Sequence, residues 1–271
     1  MAMNVNTDQP THQQAADQQA AQHQPCFAHK VGHGPPHELS VRQLHVHYGP
    51  ICALENADFT AHCGTRIGIY GPNGAGKSSL LKALAGLLPH AQGEVLWNGK
   101  PITQSRQEIA YLPQREEADF NFPITVRGVV EMGRFPALGW FGRFRKSDRD
   151  AVDAAIASME LGDLERRQIR QLSGGQQQRV FLARAIAQQA HVLLLDEPFT
   201  GLDLPSRRQL GSLLQRLAKE GRLILLTHHG LNDGEELFDQ VMFLRRRIIA
   251  MGPPGELLND TELRTKAGLP T

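Results

Sequence analysis

Two glycine-rich stretches about a hundred residues apart carry the strongest chemical signal in this chain. The first, Gly71-Pro72-Asn73-Gly74-Ala75-Gly76-Lys77-Ser78, follows the pattern G-x-x-x-x-G-K-S, in which small residues let backbone N–H groups converge on phosphate oxygens. Lys77 is then placed to reach the β- and γ-phosphates of a nucleotide, and the Ser78 hydroxyl to face Mg²⁺. The second, Leu172-Ser173-Gly174-Gly175-Gln176, reads as the start of a helix with exposed N–H groups, and so as another phosphate-binding surface. The residues alone leave open whether both surfaces serve one nucleotide. Between the second stretch and residue 200 lies Val192-Leu193-Leu194-Leu195-Asp196-Glu197, an apolar run ending in two carboxylates. Asp196 is a candidate for the Mg²⁺ shell, and Glu197 for polarising an attacking water, a role worth about 10²–10⁴ in rate.

These groups need a scaffold that delivers them to one place. Arg66-Ile67-Gly68-Ile69-Tyr70 reads as a strand leading straight into the first glycine-rich loop, and Leu80, Leu81, Leu84, Leu87 and Leu88 mark an amphipathic helix leaving it. Leu44, Val46 and Tyr48 alternate with His45 and His47 as in a half-buried strand, and a second strand is expected around Phe59. Asn98-Gly99 marks a hairpin turn, and residues 109–112 a short strand ended by Pro113. From about 115 to 175 strand signals stop. Residues 125–132 and 148–161 read as helices, the latter with Ser147 as N-cap. A helix carrying Val180, Phe181, Ala183 and Ile186 follows the second glycine-rich stretch. Strands resume at 192–195, 223–226 and 241–244, with a helix between them bearing Leu210, Leu213, Leu214 and Leu217 on one face. This alternation predicts an α/β fold with a mainly parallel sheet covered on both sides.

The 271 residues carry a net charge of +1, from 29 basic and 28 acidic side chains, so no global field favours nucleic acid or an anionic membrane. No apolar run approaches the roughly 20 residues that span a bilayer, and the start lacks the apolar core of a signal peptide, so the chain reads as cytosolic. Three cysteines, irregularly spaced, do not make a disulfide framework. Residues 1–37, with seven glutamines before residue 25, read as a disordered tail. Its Cys26, His29, His33 and His37 have the spacing of a zinc set without a scaffold to fix the geometry, and a solvated tail is the preferred reading.

Taken with Gln114 after a strand, Gly201-Leu202-Asp203 after the acidic pair, and Thr227-His228 after the strand at 223–226, the chain resembles the nucleotide-binding subunit of ABC transporters over about residues 38–260. The resemblance implies a RecA-like P-loop NTPase core, an N-terminal antiparallel β subdomain and an inserted helical subdomain at about 115–175. It implies an ATPase in which two copies pack head to tail around two ATP molecules with Mg²⁺. By that likeness residues 71–78 and Ser79 cradle ATP, and Tyr48 stacks on adenine. Gln114 reaches Mg²⁺ and water and senses the permease, and His228 contacts the γ-phosphate. Ser173, Gly174, Gly175 and Gln176 hold the γ-phosphate end of the partner copy's nucleotide, and Asp203 sits at the dimer seam. Ser79 stands where threonine is frequent, and His229 where aspartate is frequent.

The same likeness implies an integral membrane permease as partner, an extracytoplasmic solute-binding protein acting through it, and a place on the cytoplasmic membrane face. The stretch 111–123 with Met132-Gly133-Arg134, and Arg167-Gln168-Ile169 with 196–201, are similar to the branch importing manganese, zinc or ferrous iron. The branch importing iron-siderophores or haem is the rival. A soluble ABC ATPase acting on nucleic acid or ribosomes would be expected to show two cassettes, a coiled-coil insertion or a basic surface, and a P-loop kinase gives no reason for the stretch 172–176.

Overall fold

The computed structural model describes residues 37–114, 123–138, 142–231 and 233–270. The two apolar strand runs nearest the chemistry, β7 (Val192–Leu195) and β8 (Leu223–Thr227), are buried at every position. Such continuous apolar runs suit the middle of a parallel sheet, where both faces are covered. They lie side by side in a six-stranded sheet of order β10-β9-β3-β8-β7-β6. Here β3 is Arg66–Tyr70, β6 Ile109–Leu112, β9 Gln240–Arg245 and β10 Arg247–Gly252. All neighbouring pairs are parallel except β10 with β9.

Side chains alternate across these strands, and the alternation divides the core in two. Ile67, Ile69, Val192, Leu194, Leu223 and Leu225 pack with Leu80, Leu81 and Leu84 of α1 (Lys77–Leu84). The same face is closed by a four-stranded antiparallel sheet of β1 (Glu38–Tyr48), β2 (Ile51–His62), β4 (Gln92–Trp97) and β5 (Lys100–Pro101). Leu193, Leu195, Ile224 and Leu226 face the other way. They meet α2 (Val126–Glu131), α3 (Lys146–Ser158), α4 (Gly174–Ala187) and α5 (Leu204–Lys219). No helix among the described residues is long and apolar enough to cross a membrane.

Three expectations from the sequence shift. The helix after the phosphate loop stops at Leu84 rather than running on to Leu88, because Gly86 takes a left-handed φ of +67° and leaves Leu87 exposed. Leu88 still packs on the core from the following turn. Ser147 does not cap α3. The helix starts at Lys146, and the Asp148 carboxylate accepts a 2.9 Å bond from the Arg145 N–H. Residues 159–161 lie beyond its end.

Met132-Gly133-Arg134 acquires a structural role. Arg134 is buried, pairs with Asp148 at 3.0 Å, and donates to the carbonyls of Ala187 and Gln188 and to Gln189 Oε1 at the C-terminus of α4. A cation at a helix C-terminus satisfies orphan carbonyls and complements the dipole. Gly133 is required because a Cβ there would lie 2.2 Å from the Arg184 carbonyl oxygen. This triplet therefore anchors the helix that begins at Gly174.

Candidate functional site

Four loops leave the carboxyl ends of adjacent parallel strands: residues 71–78 after β3, Gln114 after β6, Asp196 and Glu197 after β7, and 228–230 after β8. In open α/β sheets this edge is where ligands bind. Tyr48, residues 73–79, Gln114, Glu197 and His229 line one cleft of about 770 Å³, to which Ile51, Cys52, Ala53 and Arg246 add walls.

The loop is held in a tight arc. Gly76, at φ +97°, passes so close to β2 that a Cβ would lie 2.3 Å from the Ala53 carbonyl oxygen. Lys77 is buried, and its ammonium donates to the Gly71 and Pro72 carbonyls at 2.8 and 3.1 Å. Burial lowers its pKa, and the charges of Glu197 and Asp196 act in the opposite direction.

Thr227, the last residue of β8, ties the acidic pair together. Its hydroxyl donates to Asp196 Oδ1 at 2.8 Å and accepts from the Glu197 N–H at 2.7 Å. Asp196 is 1% exposed, and its Oδ2 has no hydrogen-bond partner among the described residues. A buried carboxylate oxygen without a donor is costly unless a cation meets it. Ser78 and Gln114 line the cleft, and a hydroxyl, an amide oxygen and a carboxylate are the hard oxygen donors that suit Mg²⁺.

The Glu197 carboxylate accepts from His229 Nε2 at 2.8 Å and from the Thr200 hydroxyl at 3.2 Å. Burial pushes its pKa up, but these bonds and the Lys77 charge more than offset it and hold the carboxyl below the usual range. Glu197 is thus held as a carboxylate in the cleft that residues 73–79 line.

The sequence agrees with this geometry. Residues 54–200 match the ABC transporter family model. The manganese transport system ATP-binding protein MntB of Halalkalibacterium halodurans is 44% identical over 219 residues, 81% of this chain and 87% of that protein. The zinc transport system ATP-binding protein TroB of Treponema pallidum is 44% identical over 214 residues, 79% of this chain and 80% of that protein. The chain belongs to the ABC transporter ATP-binding family. Among solved structures, an inward-facing metal-chelate type ABC transporter aligns with a TM-score of 0.74 at 28% identity, covering 87% of this chain and 90% of that one. The protein is therefore an ATPase with the α/β fold of that family.

The ABC fold separates the residues expected to act together into two groups. Tyr48, residues 73–79, Gln114 and Glu197 share the cleft, with Tyr48 exposed at its rim and its ring edge-on to His90. None of the described residues lining this cleft comes from 172–176. Ser173 instead caps α4. Its hydroxyl accepts from the Gln176 N–H at 3.4 Å, while the Gln176 side chain accepts from the Ser173 N–H at 2.9 Å. The first-turn N–H groups at Gly174 and Gly175 thus open from a fixed helix end. Asp203 caps α5 by accepting from the Ser206 N–H at 3.0 Å.

His228 lies beside that cleft, where it lines a smaller cavity with Glu197, Thr227, His229 and Asp233. Its ring is 7% exposed, bonded to Asp233 and boxed by aromatic rings, and it does not line the cleft with the phosphate loop. His229 lines both. Leu226 packs with the Tyr70 and Phe238 core, while Thr227 meets Asp196. Thr227, Thr200 and Arg246 had no chemical role in the sequence reading. In the tail, Cys26, His29 and His33 lie outside the described residues. His37 packs edge-on against Trp97 and His191, and no cluster of metal-ligating side chains forms among the described residues.

Proposed function

We propose that this chain hydrolyses ATP to drive a membrane permease that imports a transition-metal ion. The observation that carries the cargo is the 44% identity, over four-fifths of the chain, to subunits named for manganese and zinc transport. The chemistry rests on the convergence of Lys77, Asp196 and Glu197 at one strand edge.

Lys77 exchanges its loop carbonyls for the β- and γ-phosphates of ATP, and Tyr48 offers its ring to the adenine. Glu197 orients and deprotonates the attacking water. His228, which shares a cavity with Glu197 and His229, contacts the γ-phosphate. Ser78, Gln114 and Asp196 would hold Mg²⁺, which would neutralise charge developing on the phosphate oxygens. The second phosphate-binding surface, at 173–176, serves the nucleotide of a second copy, with Asp203 at the seam. The helical segment between Gln114 and Ser173 faces the permease, which places the chain at the cytoplasmic side of the membrane, indirectly coupled to an extracytoplasmic binding protein.

The likeness to the metal-chelate type transporter favours a second reading, import of an iron chelate or haem. Uptake separates the two. In a strain lacking the gene, the wild-type chain restores uptake of labelled manganese or zinc, and Glu197→Gln does not. Restoration of iron-chelate uptake alone would replace the metal-ion assignment with the chelate one, and restoration by Glu197→Gln would remove Glu197 as the base.

A further inference from the structure

Consecutive arginines, Arg245, Arg246 and Arg247, form the turn between β9 and β10, with Arg246 at its apex between the paired Arg245 and Arg247. The two flanking side chains are committed within the fold. Arg247 grips both carboxylate oxygens of Glu55, and Arg245 donates to the Lys266 carbonyl at 3.2 Å. The Arg246 side chain makes no hydrogen bond or ion pair among the described residues. It lines the cleft with Tyr48, Cys52, Lys77 and residues 73–76 instead.

The backbone beneath that side chain is fixed. Arg246 takes a left-handed φ of +59°, which its neighbours impose: its N–H donates to the Ala75 carbonyl and its carbonyl accepts from the Glu55 N–H, both at 2.8 Å. The strand leading into the turn also runs against the start of the phosphate loop, since a Cβ at Gly71 would lie 2.2 Å from the Leu244 carbonyl oxygen. Turn and loop are therefore one backbone unit, and the guanidinium is carried on it.

The sheet order gives the end of the cleft that this cation serves. β3 lies between β8 and β9, so Gln114, Asp196 and Glu197 reach the cleft from the β8 side and Arg246 from the β9 side. There its bond to Glu55 sets it beside β2, two residues from Ala53 of the cleft wall. In a nucleotide bound as proposed above, the γ-phosphate points to Glu197 and the adenosine to Tyr48. Lys77 reaches the β- and γ-phosphates, which leaves the α-phosphate to backbone N–H groups at the start of α1.

We propose that Arg246 is a nucleotide-binding residue whose guanidinium pairs with the α-phosphate of ATP. The inference rests on the reading of this cleft as the nucleotide site. A guanidinium on a phosphate makes charge-assisted hydrogen bonds, and because ATP and ADP share the α-phosphate it holds both equally. Binding of that uniform kind lowers Kd and KM without raising kcat.

The test is equilibrium titration of the full chain with ATP and with ADP, without Mg²⁺ and at low ionic strength, beside kcat and KM for ATP. Arg246→Gln is expected to raise Kd for both nucleotides by the same factor, about ten-fold, and KM with it, while kcat stays within about two-fold. The gap from wild type should narrow as salt is added. Arg246→Lys keeps the charge and is expected to stay within about three-fold of wild type. Arg247→Gln removes an equal charge one position along, where Glu55 rather than the cleft meets it, and is expected to leave both Kd values within about two-fold. Wild-type Kd in Arg246→Gln would overturn the contact. So would an equal loss in Arg247→Gln, which would reduce the effect to the general field of the turn, or a loss for ATP without one for ADP, which would move the cation to the γ-phosphate. Lys77→Ala is the separate control. Wild-type ATP binding there would remove the reading of the cleft beneath the inference, whereas weakened binding in Lys77→Ala beside wild-type binding in Arg246→Gln would remove the Arg246 contact alone.

Discussion

Glu197 sits at a backbone φ of +49°, a conformation that costs a non-glycine residue on the order of 1–3 kcal/mol and persists only where neighbours impose it. The Thr227 hydroxyl supplies that constraint by accepting from its N–H. Thr200 and His229 then fix the two carboxylate oxygens. Because the pKa of this carboxyl is depressed, Glu197 stays ionised as pH falls, and its contribution to kcat/KM is lost only as pH drops through a value below the ordinary 4.5. Thr200→Ala deletes one of the bonds that lowers it. The pKa should rise, the carboxylate should protonate at higher pH, and the acid limb of kcat/KM should move upward. An acid limb that stays in place would show that the Thr200 bond does not tune the base.

At the scale of elements, the helix bearing Ser173 and Gly175 depends on a contact at its far end. Arg134 holds the α4 carbonyls only while Asp148 pairs with it, and both side chains are buried. Asp148→Ala leaves a buried guanidinium without its counter-charge, and is expected to cost about 3–5 kcal/mol of stability in chemical denaturation. Because α4 presents the 173–176 turn, ATPase activity should fall with it, and a loss below about 1 kcal/mol would mean that solvent substitutes for the carboxylate. The same pair shows where the sequence was readable. The apolar runs of β7 and β8, the loop at 71–78 and the strands on either side of Asn98-Gly99 were legible because local pattern and tertiary environment agree there. Ser147 misled because the start of α3 is set by Asp148, whose role comes from Arg134, fourteen residues earlier.

Across the whole molecule, the cleft that holds the phosphate loop is built from β2, β3, β6, β7 and β8 edges, and the second glycine-rich turn opens elsewhere from the end of α4. A single chain therefore keeps the 71–78 loop and the 173–176 turn apart, as the proposed shared site requires. If two copies pair with two-fold symmetry, each cleft is closed by the 173–176 turn of the other, and two equivalent sites result. Such an arrangement makes hydrolysis a property of the pair, and gives a permease a way to feel it through two subunits closing and opening.

The measurement that bears most directly on this account uses two inactive variants. Lys77→Ala disables the phosphate loop and keeps the 173–176 turn, and Ser173→Arg does the reverse. Each alone should hydrolyse ATP at background. In a verified mixed dimer, one cleft with Lys77 faces one intact Ser173, so about half of the wild-type rate should return. A mixed dimer that stays at background would contradict the shared site, as would a Ser173→Arg homodimer that hydrolyses ATP like the wild type.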